Sequence, residues 1–283
     1  MDFNNPETKE FIIRSLEEDI KDGDHSSLSC ISPLAKGKAK LLFKEDGVVA
    51  GMELAKVILR HLDSKVEFEE FKKDGDEVKS GEIGMYVSAK VHAILAGERL
   101  LLNCMQRMSG IASKTASLVE MIKHTNARLL DTRKTTPGMR FLEKYAVRVG
   151  GGVNHRTGLY DMIMLKDNHN DYAGGITKAV SATRDYLNEK GLPLKVEVET
   201  RSMEEVRETL NCEGVDRIML DNFSPDEIRV ALAEIHGKVE TEASGGITEK
   251  NLVAYAETGV DFISMGALTH SVKSLDISLK QIK

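Results

Sequence analysis

The 283-residue chain carries 39 Lys and Arg against 45 Asp and Glu, a formal charge of −6 with pI near 5.8. This excludes a global basic footprint for nucleic acid, so an anionic ligand must be met by a local cluster of cations. No stretch approaches the ~20 uncharged apolar residues of a membrane-crossing helix. The start MDFNNPETKEF has no signal-peptide pattern, and the scattered Cys30, Cys104 and Cys212 form neither a disulfide scaffold nor a zinc motif. A cytoplasmic protein with no membrane and no nucleic-acid partner is expected.

Through roughly the first 110 residues the pattern is mixed. Ala35–Lys44, Val66–Lys72 and Gly84–Ala89 are strand-like, Gly51–Leu62 is helical, and Asp74-Gly75-Asp76 and Gly81 signal turns. A small α+β domain is predicted. A long helix follows over 98–124, with Leu101, Met105, Met108, Ala112, Leu118 and Ile122 on its apolar face and a break expected near Ser109-Gly110.

From there β-type runs alternate with amphipathic helices. The predicted strands are Ala127–Arg133, Asp161–Lys166, Leu194–Thr200, Asp216–Asn222, Val239–Ser244 and Asp261–Gly266; the predicted helices are Arg140–Val149, Ile176–Lys190, Ser202–Leu210, Ser224–His236 and Thr248–Thr258. Ser224-Pro225-Asp226-Glu227 is a strong helix start. Successive βα units imply parallel strands with right-handed crossovers. Nearly every strand ends in a polar or charged residue. That suits a (β/α) barrel collecting side chains at one mouth better than a doubly wound sheet with one switch point. Six strands fall short of eight, so an incomplete barrel is expected.

The mouth concentrates cations. Arg133 and Lys134 end one strand, His155 and Arg156 follow Gly150-Gly151-Gly152, and Lys166 ends the next strand. Arg grips carboxylates and phosphates bidentately, and Lys acts as a point charge. Glu197, Glu199 and Asp221 oppose them. Alternation places Glu197 and Glu199 on one face, toward the barrel interior. They would either neutralise Lys166 or Arg133, or stabilise a metal or a developing cation. For Glu199 and Asp221, nearer the mouth, the second role is favoured. Ser244-Gly245-Gly246 and Gly266-Ala267 close the last two strands and suit phosphate contact through backbone N–H groups. A Schiff-base aldolase using Lys134 or Lys166 on a phosphorylated sugar is a rival reading, and a non-catalytic anion binder is a third.

The segments DTRKTTPGMR (131–140), YAVRVGGGVNHRTGLYDMIMLKDNH (145–169), VEVET (196–200), LDNF (220–223), EASGGIT (242–248) and GALTHS (266–271) closely resemble quinolinate phosphoribosyltransferase. The resemblance extends to 22–27 and 97–113, in order over nearly the whole chain. A molybdenum-transport-associated group shares the DTRK and GGG segments, but Asn154-His155-Arg156 and Lys166-Asp167-Asn168-His169 favour the quinolinate enzymes. Thr136 and Thr200 depart from the pattern and touch no proposed role.

The resemblance implies an α/β fold: an α+β open-faced sandwich domain over 1–112, an incomplete (β/α) barrel catalytic domain over 113–270, and a last helix, 271–283, packed back on the first domain. It implies transfer from phosphoribosyl pyrophosphate to quinolinate, giving nicotinate mononucleotide, pyrophosphate and CO2 in NAD synthesis. By the same resemblance Arg133, Lys134, His155, Arg156 and Lys166 form a basic substrate pocket; Lys134, Glu199 and Asp221 are catalytic, the two acids near the ribose and Mg2+, directly or through water; Ser244, Gly245 and Gly266 contact phosphate. Arg99 would reach the neighbouring subunit's site in a homodimer or larger assembly.

Overall fold

The computed structural model describes residues 3–282. Its elements are α1 (Pro6–Ile20), α2 (His25–Cys30), β1 (Lys36–Phe43), β2 (Gly47–Val48), α3 (Met52–Leu62), β3 (Glu67–Glu70), β4 (Glu77–Val78), β5 (Ile83–Lys90), α4 (Val91–Ile122), β6 (Arg128–Leu130), α5 (Arg140–Val149) and β7 (Ile163–Leu165). There follow α6 (Asp167–Ala173), α7 (Ile176–Lys190), β8 (Val196–Thr200), α8 (Met203–Leu210), β9 (Arg217–Asp221), α9 (Pro225–Ile235), β10 (Glu240–Ser244), α10 (Leu252–Ala256), β11 (Phe262–Ser264), α11 (Ala267–His270) and β12 (Ile277–Ile282). The chain divides into two units. The first runs through Ala116, takes in Thr136–Gly151 and closes with the segment from Ser271; the second comprises Ser117–Thr135 and Gly152–His270.

The first unit is α+β. Its main sheet is antiparallel in the order β12-β1-β5-β3. Ala39, Leu41 and Phe43 of β1 point to the buried face, with Ala39 opposite Val87 and Leu41 opposite Met85 of β5. Such facing apolar pairs fix the register, because a one-residue slip would turn every one of them to the other face. Helices α1 and α2 form where no element was predicted, started by Asn5 and Asp24, whose side chains accept from the N–H groups of Thr8 and Ser27.

Two expectations are overturned in this unit. The end of the chain, expected as a helix over 271–283, is extended: β12 pairs with β1 from Lys38↔Ile282 to Phe43↔Ile277. Burial of Leu275, Ile277 and Leu279 between exposed Asp276 and Lys280 is the period of two that a strand requires. Helix α4 also runs through Ser109-Gly110 without a break. The Ser109 hydroxyl accepts from Ala50 N at 3.0 Å and donates to Ala50 O at 3.1 Å. A Cβ on Gly110 would stand 2.3 Å from the Lys273 carbonyl oxygen. These small residues permit close packing on the helix and do not interrupt it.

The second unit is built on six parallel strands in the order β6-β11-β10-β9-β8-β7. Neighbours follow the chain from β7 to β11, and β6 then closes onto β11. This is the order of a barrel left open between β6 and β7, with a Leu130↔Val153 bridge on the other side of β6. All six predicted strands are present, and no closed barrel forms among the described residues. Val196 and Val198 pack with Ile176, Ala179 and Val180 of α7. Alternation therefore turns Glu197 and Glu199 to the opposite, interior face. Ser224 and Glu227 cap α9 reciprocally. Helix α10 is shorter than predicted because a turn, with Thr248 N donating to Asn251 Oδ1 at 2.7 Å, occupies its expected start.

Candidate active site

At the carboxyl ends of the parallel strands lies a cavity of about 190 Å3, within the second unit. Of the residues expected from the sequence, Arg133, Lys134, His155, Arg156, Lys166 and Ser244 line it. Thr132, Met164, Met219, Glu242 and Ser264 line it too and were not anticipated as site residues. The alternation rule could have found four of them: each stands two residues before a strand-end residue, Met164 before Lys166, Met219 before Asp221, Glu242 before Ser244 and Ser264 before Gly266. Arg99 is exposed on α4 and does not line the cavity.

The cations are placed by strand ends and short loops. Lys134 follows β6; its N–H donates to Thr132 Oγ1 at 3.1 Å, and its carbonyl accepts from Thr269 Oγ1 at 2.8 Å. Its side chain passes over Gly266, where a Cβ would come within 3.0 Å of Lys134 Cδ. Arg156 donates from Nη1 to the Met162 carbonyl at 3.3 Å. Burial, then the neighbouring Arg133 charge, lowers the proton affinity of its guanidinium. An anion entering between the two arginines would relieve that repulsion.

Lys166 caps α6 and pairs through Nζ with Glu199 Oε2 at 2.6 Å. A Schiff-base lysine needs an amine free to attack, and this one is tied to a carboxylate. Asp221, at the end of β9, is pushed up by burial and by the Glu199 charge, against the pull of Lys166, Asn222 and Ser244. Glu199 pairs with Lys166, and Asp221 feels the charges of both.

Ser244 and Gly245 end β10. Gly245 has φ of 89°, and a Cβ there would lie 2.3 Å from Asn222 Oδ1, so only glycine fits beside that side chain. Asn222 N donates to Ser244 O at 2.8 Å, locking the two strand ends together.

Deeper in the unit, His155 Nε2 lies 3.0 Å from Glu197 Oε2 and 3.2 Å from Glu242 Oε2. Burial opposes a charge on His155, but the two carboxylates outweigh it and raise the ring to about 9. Burial and the Glu242 charge push Glu197 up to about 7. Against its burial, Glu242 is lowered by His155, Ser264 and Arg217. The Arg156 N–H donates to His155 Nδ1 at 2.6 Å, a contact made by the neutral ring with its proton on Nε2 facing the carboxylates, whose pull on a second proton competes with it.

The family models for quinolinate phosphoribosyl transferase match in both parts, the N-terminal domain at 24–109 and the C-terminal domain at 111–280. A chloroplastic nicotinate-nucleotide pyrophosphorylase (carboxylating) of Arabidopsis thaliana is 47% identical over 272 residues, 91% of this chain and 78% of that one. A probable nicotinate-nucleotide pyrophosphorylase (carboxylating) of Bacillus subtilis is 43% identical over 276 residues, 98% of this chain and 94% of the other. The crystal structure of NadC from Streptococcus pyogenes matches with a TM-score of 0.91 at 39% identity, covering 97% of each chain. With both domains matched in order and relatives above 40% identity over nearly its full length, the chain belongs to the quinolinate phosphoribosyl transferase family.

Proposed function

We propose that this protein transfers the phosphoribosyl group of phosphoribosyl pyrophosphate to quinolinate with loss of CO2, yielding nicotinate mononucleotide and pyrophosphate for NAD synthesis. One observation carries the reading: in a chain of charge −6, a single cavity gathers Arg133, Lys134, Arg156 and Lys166 beside the carboxylates Glu199 and Asp221. A pyridine dicarboxylate and a sugar bearing a phosphate and a pyrophosphate require that concentration of cations. The acids find their use in the sugar.

In this mechanism Arg133, Arg156 and Lys166 hold the two ring carboxylates, the arginines bidentately. Backbone N–H groups at Ser244, Gly245 and Gly266 receive phosphate. The pyridine nitrogen attacks C1′ with its lone pair, and the electron pair of the C1′–oxygen bond leaves with pyrophosphate, which Lys134 neutralises. No proton must be removed before attack, so no general base is needed. Positive charge grows on the ribose as the bond breaks, and the fixed carboxylates Glu199 and Asp221 stabilise it. The ring is then a pyridinium. The bond to its 2-carboxylate breaks, the pair stays on C2, CO2 departs and C2 takes a proton from water.

Mg2+ fits the Glu199–Asp221 pair: both offer hard oxygen ligands, and the repulsion that raises Asp221 is what a divalent cation offsets. When bound it would neutralise the leaving pyrophosphate. The same reading assigns Arg99 to a neighbouring subunit's site in a homodimer or larger assembly, and places the enzyme in the cytoplasm. No helix among the described residues is long and apolar enough to cross a membrane. The plant relative's name includes "chloroplastic", so cell fractionation checks the compartment.

The direct test measures pyrophosphate released from phosphoribosyl pyrophosphate with and without quinolinate. Release that requires quinolinate and matches CO2 one for one supports the reading. Quinolinate-independent release, or a borohydride-trapped adduct with a phosphorylated sugar, overturns it.

A further inference from the structure

Four buried ionisable side chains, of which His155 and Glu242 line the cavity, take no part in the mechanism above. Glu197 on β8, Arg217 on β9 and Glu242 on β10 are buried, as is His155 on the loop before β7. Register sets Glu197 level with Arg217 and Glu240, and Glu242 level with Met219 and Glu199, so the three strands contribute to two adjacent levels of the interior. Arg217 Nη1 stands 3.2 Å from Glu242 Oε2 and 4.0 Å from Glu197 Oε2, while its Nη2 donates to Glu240 at 3.0 Å. Beyond these ion pairs and those to His155, neither Glu197 oxygen has a hydrogen-bond donor among the described residues.

We propose that Glu197 and Glu242, braced by Arg217, are positioning residues that set the affinity for the aromatic dicarboxylate through His155 and the Arg156 peptide. This rests on the function proposed above. Apolar side chains of similar volume would fill such a layer at lower cost, so a buried charge network calls for a use. Its visible use is to hold one peptide. His155 N donates to Asp131 Oδ1 at 2.9 Å; His155 Nδ1 accepts from Arg156 N, and Nε2 faces the two carboxylates. His155 lines the cavity, as expected, while its Nδ1 meets the Arg156 N–H and its Nε2 lies within ion-pair distance of the two carboxylates. It also fixes the direction in which Arg156 leaves the backbone, and the Met162 carbonyl then fixes the guanidinium. A site that reads two carboxylates at a set angle depends on the aim of its arginine more than on its charge.

The donors of His155, Glu197 and Glu242 lie within 4.8 Å of one another, a grouping that also suits a metal. The Arg217 guanidinium already supplies the cation against the same carboxylate oxygens, which favours the positioning role.

The test compares wild type, Glu197→Gln, Glu242→Gln, Arg156→Lys and the two Gln/Lys doubles, titrating quinolinate and phosphoribosyl pyrophosphate separately by calorimetry and by steady-state kinetics. In the Gln variants the Kd and KM for quinolinate should rise roughly tenfold, the scale of one charge-assisted hydrogen bond, with the constants for phosphoribosyl pyrophosphate changed less than about twofold. Added to Arg156→Lys, either Gln should cost little more, because both act through one side chain. Parallel losses for both substrates, full additivity on Arg156→Lys, or unchanged quinolinate affinity in the folded Gln variants would each overturn the proposal. If both Gln variants fail to fold, Arg217→Lys must give the same selective rise, and its absence overturns the proposal equally. A wild type that binds and turns over quinolinate while its variants show no selective loss refutes this inference alone. A wild type that ignores quinolinate refutes the function, and this inference with it.

Discussion

Lys166 Nζ and Glu199 Oε2 stand 2.6 Å apart where two neighbouring parallel strands end, the lysine just past β7 and the glutamate in β8. Leu165 pairs with Val198, so the next residues along each strand fall side by side. The contact joins a cation assigned to the pyridine ring with an anion assigned to the sugar. A ring carboxylate arriving at Lys166 competes for the same ammonium and leaves Glu199 free to face the ribose.

Glu199→Gln keeps the shape of that side chain and removes its charge. The chemical step should slow by about 10²–10³, the usual effect of deleting one preorganised charge. Quinolinate affinity should hold or tighten, since Lys166 loses a competitor. Single-turnover kinetics across a range of Mg2+ concentration separates the two effects. A near-normal chemical step would reduce Glu199 to a partner of Lys166.

Arg156→Ala should weaken quinolinate binding by at least tenfold, since hydrogen bonds to a charged group contribute about 1.5–3 kcal/mol each. The side chain is only partly buried and donates to the Met162 carbonyl, so the thermal midpoint should change little. Calorimetric titration beside a melting curve reads both, and an unaltered quinolinate isotherm would remove Arg156 from the site.

Arg99 is exposed on α4, in the first unit. If it serves a partner's site, Arg99→Ala and Lys166→Ala should each be nearly inactive alone. Mixed and allowed to exchange subunits, they should regain activity, because one site of a heterodimer carries neither change. No recovery after demonstrated exchange rules out sharing in trans.

Asp74 accepts a hydrogen bond from the Tyr145 hydroxyl at 2.7 Å and from Met52 N at 2.8 Å. Burial nevertheless raises its carboxyl above the ordinary range, the opposing pull coming from Tyr145 and the backbone of Met52 and Gly51. The folded chain then binds this proton more tightly than the unfolded one. The stabilisation is complete below the unfolded pKa and is lost as pH rises through the folded pKa. Asp74→Asn keeps an oxygen to accept from Met52 N, turns an NH2 toward the Tyr145 oxygen, which can accept from it, and cannot ionise. It should flatten this part of the pH dependence, so that the variant gains on wild type between about pH 4, near the reference carboxyl value, and neutrality. Urea unfolding at several pH values checks it, and a variant that loses ground as pH rises contradicts the sign.

Much of the barrel was legible because its signals are local. Arg140–Val149 and Ile176–Lys190 were bounded to the residue by their apolar spacing. Ser224-Pro225-Asp226-Glu227 announced α9, and every predicted strand is present. The mouth was legible too, since parallel strands joined by helices must all end on one side, which brings Lys134, Arg156 and Lys166 together whatever the loops do. The first unit was less so. Its terminal segment takes its conformation from an unpaired edge of β1, about 235 residues earlier in the chain, and Ser109-Gly110 is helical because other segments pack onto it.

By itself the sequence determined the parallel βα framework, the charge of the cavity and the strand ends that supply it, since these follow from periods of two and 3.6 and from side chains fixed to known ends. Only the tertiary structure decided which charges meet. Lys166 could have paired with Glu197 or Glu199, and it took Glu199 because the register of β7 on β8 sets the two level. His155 lines the cavity, and its Nε2 also meets Glu197 and Glu242, which β8 and β10 bury on the interior face, where an unpaired charge costs far more than at the surface. Pairing energies depend on distances of a few ångströms and on local desolvation, and those exist only once strands remote in sequence have been laid side by side.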